Sequence, residues 1–379
     1  MTEQTTANAK MLRRVLLKAA LLLLVCNVLF ALRSPLPALG RISAYNHLFP
    51  GRARLPFGEN PAKAYNLSLF QMEAMFASHE IAAADKAPDE YRVIVIGDSS
   101  VWGFLLTPQE TLTAYINQAG HTIPAGKRVR AYNLGYPTIS LSKDLLLLDY
   151  ALRYQPDLIV WLVTLESFPY EKQVFTPLVQ QNPQAMRRLI GKYTLQVNPQ
   201  DPQFSDPTWL QKTLIGQRRT LADMARLQLY GVLWAATGVD QHIPESYTPR
   251  QEDLAAEENY YGLTPPTLHA SDIAFDVLAA GVSHAGQVPV LLVNEPMFVS
   301  AGENSAIRYN FFYPRWAYDA YRQLLAEQCA AQGWLCLDLW DAIPGGEFTN
   351  SAIHLTPSGS AQLAGIIGEA IVKLASAQD

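Results

Sequence analysis

Three uninterrupted apolar runs constrain this chain most: Arg92–Ile96 (RVIVI), Asp157–Thr164 (DLIVWLVT) and Val288–Asn294 (VPVLLVN). They are continuous rather than alternating, and short, which suits strands buried on both faces. Weaker strands are expected at Val129–Asn133 and Trp334–Asp338. Helical patterns lie between and after them, at Leu141–Tyr154 (with Ser140 or Ser142 near its start), Ile273–Ala285, Tyr313–Ala331 and Ala361–Ala375. Strands alternating with helices predict an α/β domain, a parallel sheet with helices on both faces.

The stretch 166–263 interrupts the alternation. It is rich in Gln, Pro and Tyr, with helical character near Trp209–Thr237. It reads as an insertion above the C-terminal edge of the sheet, where open α/β sheets bind ligands. A lid or specificity subdomain is one reading, and a structural or partner-facing insertion is the other.

Residues Val15–Leu32 are almost wholly apolar, with Lys18 near the start and Arg33 just after. As a helix they extend roughly 27 Å, enough to cross a hydrocarbon core. Lys10, Arg13 and Arg14 precede them, favouring a cytoplasmic N-terminus. The expected order is a cytoplasmic tail (1–14), a transmembrane anchor (15–32), a juxtamembrane connector (33–90) with a short helix near Leu67–Ala84, and a domain at 91–379 outside the cytoplasm. A cleaved signal peptide is the rival, with Ala38-Leu39-Gly40 as a weak processing site.

Apolar residues make up 49% of the chain and charged residues 17%. That excludes wholesale disorder. A net charge of −5 supplies no broad basic face, so no nucleic-acid partner is expected. Of three cysteines, Cys26 lies in the apolar run. Cys329 and Cys336 flank a turn at Gly333, and read either as buried thiols, the simpler case, or as one short-loop disulfide. No metal-ligand spacing occurs.

Two motifs carry chemistry. Gly97-Asp98-Ser99-Ser100 follows the first strand, where a serine hydroxyl can stand at the sheet edge beside backbone N–H groups. His354, in Ile353-His354-Leu355-Thr356-Pro357-Ser358-Gly359, precedes the last helix and falls on the same rim. Asn294-Glu295-Pro296 ends a strand there too, which makes substrate contact plausible. The aromatic run Tyr309–Tyr318 suits either sugar stacking or core packing, and packing is the simpler reading. His47, His79, His121, His242, His269 and His284 lack motif context and read as solvated.

From Tyr91 to the C-terminus, outside the insertion, the chain resembles the SGNH/GDSL hydrolases, of the membrane-anchored bacterial type. The resemblance implies a three-layer α/β/α, flavodoxin-like fold. It makes Ser99 the nucleophile and His354 the general base. Asn133-Leu134-Gly135 resembles the second block, so the Gly135 N–H would join the Ser99 N–H in an oxyanion hole. Two positions depart from the pattern. Glu166, in Thr164-Leu165-Glu166-Ser167, stands where the family has a donating Asn; Asn294 is the substitute donor. Ser351 stands where the triad Asp belongs, leaving Asn350, a backbone carbonyl or Glu295 to orient the imidazole. Asp98 is a turn residue behind the nucleophile. With Asp98, Glu166 and Glu295 as supporting or substrate-facing residues, the expected activity is O-acyl ester hydrolysis on an envelope glycan or lipid-linked substrate, with no cofactor. The alternatives are acyl transfer alongside a membrane acyltransferase partner, and a glycan-binding module that keeps the fold.

Overall fold

A computed structural model of the chain describes residues 2–49, 51–58, 69–83, 85–237 and 243–377. Five strands form one sheet: β1 (Glu90–Ile96), β2 (Arg128–Asn133), β3 (Leu158–Val163), β4 (Val290–Asn294) and β5 (Leu335–Asp338). All neighbours run parallel, in the order β2-β1-β3-β4-β5. This is the flavodoxin-like order, in which the chain reverses direction across the sheet between β1 and β3.

Side chains alternate between two apolar layers. Ile94, Ile96, Ile159, Trp161, Val163 and Leu292 enter one, while Val93, Val95, Leu158, Val160, Leu162 and Val293 enter the other. Among the helices are α1 (Thr2–Arg33), α2 (Leu112–Gln118), α3 (Leu141–Ala151), α4 (Arg218–Thr237), α5 (Phe275–Ala285), α6 (Arg315–Gln332) and α7 (Pro357–Ser376). Helices α3, α5 and α6 cover the first layer, and α2 and α7 the second. Each fully buried Leu, Ile or Val in these layers stabilises the fold by ~1.5–3 kcal/mol relative to exposure.

Three expectations change. The segment 33–90 is not merely a connector. Leu55, Met75, Phe76 and Ile81 are buried in the first layer, and the Trp102 indole N–H donates to Leu55 O at 2.9 Å. Its prolines and arginines read as linker, yet the Arg54 guanidinium stacks over Trp102 at 3.9 Å. The helix expected at Leu67–Ala84 is the shorter Met72–Ala77, followed by a turn at Glu80–Ala82. Residues 67, 68 and 84 lie outside the described residues. Cys329 and Cys336 form a disulfide, because Gly333 (φ 66°) turns the end of α6 back alongside β5.

The insertion is only in part a cover for the sheet edge. Met186, Leu189 and Ile190, on a helix at Pro183–Tyr193, pack with α3, and Met224 and Leu227 of α4 join the same apolar layer. Residues 238–242, His242 among them, lie outside the described residues.

Helix α5 approaches the sheet closely at Gly281, where an added Cβ would lie 2.3 Å from the buried Trp161 ring. Gly281→Val is expected to lower stability by about 1–3 kcal/mol through overpacking. Urea denaturation measures it, and an unchanged midpoint and slope would contradict this packing.

Candidate active site

The turn after β1 positions Ser99, the candidate nucleophile. Gly97 has no room for a side chain, since a Cβ there would meet Val101 Cγ2 at 2.5 Å. Asp98 caps the short helix Ser99–Trp102 by accepting the Ser100 N–H at 2.8 Å. Gly103, at φ 86°, ends it. Arg54 Nη1 donates to Gly103 O at 2.8 Å and Leu106 O at 3.2 Å, closing that end. Ser99 therefore stands at the C-terminal edge of the sheet, beside the point where strand order reverses.

His354, the candidate base, comes from the segment between β5 and α7. Phe348 and Leu355 pair antiparallel, and the Thr349 N–H donates to His354 O at 2.8 Å. This small hairpin aims the imidazole at Ser99. His354 Nε2 lies 2.7 Å from Ser99 Oγ, and Nδ1 lies 2.8 Å from Asn350 Oδ1. An amide oxygen only accepts, so Nδ1 carries the proton and Nε2 is free to accept from the Ser99 hydroxyl. Phe104 stacks on the imidazole at 4.7 Å. Burial lowers the His354 pKa to about 4, so the ring is neutral at neutral pH.

The remaining expected residues sort differently. Gly135 approaches the nucleophile helix closely, where a Cβ would lie 2.4 Å from Trp102 N. Its N–H, however, donates to Asn133 Oδ1 at 3.0 Å, and Asn133 Nδ2 donates to Val101 O at 2.7 Å. Gly135 thus allows close packing and does not present a free donor. Asn294 is engaged on the other side, toward β5 and α6. Its Nδ2 donates to Asp338 Oδ1 at 2.8 Å, and its Oδ1 accepts from Tyr321 at 3.2 Å and Tyr318 at 3.4 Å. Those rings belong to the aromatic cluster, which packs the core. The Ser99 N–H, first in its helix, has no intrahelical acceptor and remains the donor beside the nucleophile.

Glu166 is paired with Lys172 and accepts from Tyr261 at 2.5 Å. Glu295 does not reach His354; it is buried and accepts the Ser100 hydroxyl. Burial, then the nearby Asp98 carboxylate, raises its pKa well above the usual range.

Several supporting residues carried no motif. Lys143 is fully buried; its Nζ donates to Gly97 O at 2.6 Å and Tyr136 O at 3.3 Å, and pairs with Asp144 at 2.5 Å. It thereby ties the loops after β1 and β2 together. His79, expected to be solvated, is buried instead. The Ile81 N–H donates to its Nδ1, leaving Nε2–H to donate to Asn133 O at 2.9 Å, and burial lowers its pKa to about 4. His284 is also engaged, with Asp149 at 2.8 Å.

No family model matches the chain, and no curated protein does. Solved structures do match. An aryl esterase from M. smegmatis is 11% identical, with 75% of this chain aligned to 99% of that one and a TM-score of 0.35. A carbohydrate acetylesterase from Sinorhizobium meliloti is 12% identical, over 75% of this chain and 99% of its own, with a TM-score of 0.32. The chemistry is read from the site itself.

Lys143→Met would leave Asp144 and two turn carbonyls without their buried partner. The expected loss is about 3–5 kcal/mol of stability. Chemical denaturation measures it, and a loss under about 1 kcal/mol, the range of an exposed pair, would show the ammonium to be dispensable.

Proposed function

We propose that the chain is a serine-dependent O-acyl ester hydrolase of SGNH/GDSL type. The observation that carries this is the hydrogen-bonded line from Ser99 Oγ through His354 to Asn350, with links of 2.7 and 2.8 Å. Ser99 Oγ attacks the ester carbonyl carbon while His354 Nε2 takes its proton. Asn350 Oδ1 holds the Nδ1–H through this step. The tetrahedral intermediate collapses, its C–O bond breaks, and the imidazolium returns the proton to the departing alcohol. Water, deprotonated by the same nitrogen, then releases the acid from Ser99.

The substrate is read as an acylated glycan or lipid-linked molecule at the outer face of a membrane. The helical stretch Asn8–Arg33, which contains an 18-residue window of mean hydropathy 2.6, is long and apolar enough to cross one. Asn27, within that stretch, accepts the Ile215 N–H at 3.0 Å. An apolar helix bonded into the folded domain supports a retained anchor over a removed signal peptide. The Cys329–Cys336 disulfide suits an oxidising compartment. Near Glu166, Tyr170, Tyr260, Tyr261, Glu171 and Asp272 line a groove of about 280 Å³. Aromatic faces edged by carboxylates suit a sugar.

A fluorophosphonate probe should label the wild type and leave Ser99→Ala unlabelled; absence of label on the folded wild type would favour a binding module. Catalysis needs neutral His354, so kcat/KM is full above its pKa and falls as pH drops through about 4. In Asn350→Asp a carboxylate would stabilise the imidazolium, moving that acid limb upward by ~1–3 pH units. An unmoved limb, measured on a p-nitrophenyl ester, would show that position 350 does not govern the imidazole.

A further inference from the structure

We propose that the insertion carries a second membrane-contacting surface, formed by Trp209, Leu210, Ile215, Leu229 and Leu233, that rests in the outer leaflet beside α1. It rests on the reading of α1 as a spanning helix.

The first observation is where the insertion meets α1. Asn27 Nδ2 donates to Leu23 O at 2.8 Å within the helix, and Asn27 Oδ1 accepts the Ile215 N–H at 3.0 Å. Asn27 precedes the Arg33 end of α1 by on the order of 9 Å along the axis, at ~1.5 Å per residue. The Ile215 backbone therefore stands level with the last apolar turns of α1. Any bilayer that α1 spans reaches this part of the insertion.

The second observation is how the 208–217 turn is built. Thr208 caps the helix Trp209–Lys212. Thr213 Oγ1 donates to Leu210 O at 2.6 Å and accepts the Gly216 N–H at 3.1 Å. Gly216 lets the turn close where a Cβ would meet Leu210 O at 2.3 Å. These polar groups are satisfied internally, as a water-poor setting demands. The apolar side chains face outward instead: Trp209 is 49%, Leu210 72% and Ile215 53% exposed.

Helix α4 extends the surface. Its inner face, with Met224, Leu227 and Gly231, is buried, and the Tyr45 ring sits against Gly231. The opposite face carries Ala222, Ala225, Leu229 and Leu233, all exposed, with Arg219 and Arg226 among them. Leucines on the outer face as well as the buried one, interleaved with arginines, suit a surface resting at a membrane boundary. Lys212, Arg218, Arg219 and Arg226 border the patch and are placed to meet lipid phosphates. The Trp209–Lys212 helix lies against α1, whose leucines are exposed, and this contact assigns the surface to lipid rather than to a protein partner.

The test uses the full chain in phosphatidylcholine/phosphatidylglycerol vesicles, with Cys26→Ser as background and nitroxide labels at Leu210→Cys, Leu229→Cys, Leu22→Cys and Gln362→Cys. Gln362 is an exposed position on α7, and Leu22 lies in the apolar stretch of α1. Labels at 210, 229 and 22 should each show an oxygen-to-nickel-chelate collision ratio severalfold above the label at 362. Labels at 210 and 229 that match 362, while 22 stays lipid-exposed, overturn this surface and leave the anchor standing. A label at 22 that matches 362 overturns both. Labels at 210 and 229 shielded from oxygen and chelate alike report a protein contact and overturn the lipid assignment.

Discussion

The reactive rim depends on one buried ammonium. Removing a charge from water costs several kcal/mol, so Lys143 is tolerated only with its surroundings satisfied. Gly97 O, Tyr136 O and Asp144 supply that shell. Gly97 belongs to the loop after β1 and Tyr136 to the loop after β2. Pulling both carbonyls onto one nitrogen fixes the two loops against each other. Ser99 lies two residues beyond Gly97, so the hydroxyl inherits that position. The Tyr136 N–H to Gly97 O bond, at 3.0 Å, braces the same junction.

Three carboxyl groups gather around that single ammonium. Burial is the first cause raising Asp98, Asp144 and Glu295 alike, and for Asp144 it raises the pKa to about 6. Glu295 is raised further by the Asp98 carboxylate, with Lys143 opposing it only weakly. Asp98 has Lys143 as its foremost counterweight and also accepts the Ser100 N–H. The turn after β1 is thereby held from two sides, by Asp98 at the Ser100 N–H and by Glu295 at the Ser100 hydroxyl.

What the sequence made legible was local. The strands were readable because continuous apolar runs have few other homes, and their alternate residues do enter opposite layers. Ser99 and His354 were readable because each sits in a short motif at a strand end. The Lys143 role was not readable: Ser-Lys-Asp at the start of α3 has the composition of a solvated first turn, and only the fold places Gly97 O above it. Gly135 and Asn294 were assigned donor roles from their motif positions. Position does not say where hydrogen-bonding capacity is already committed, and both are engaged elsewhere. Arg54 and His79 were hidden for another reason, since they lie in a segment whose prolines imitate a linker.

The two departures from the family pattern are linked through charge. Among the described residues no carboxylate bonds the His354 ring; Asn350 offers only a neutral acceptor, and Phe104 covers the ring. The base is correspondingly weak, and so less able to carry an intermediate that also faced an uncompensated negative charge. Glu166, standing where a donating amide belongs, would supply such a charge. Lys172 and the Tyr261 hydroxyl neutralise it in place. Lys172 also lowers the Asp98 pKa, so its positive charge is felt behind the nucleophile as well. On the esterase reading, pairing Glu166 with Lys172 removes a net charge that a developing oxyanion would otherwise meet, while leaving the missing amide's hydrogen bond unreplaced.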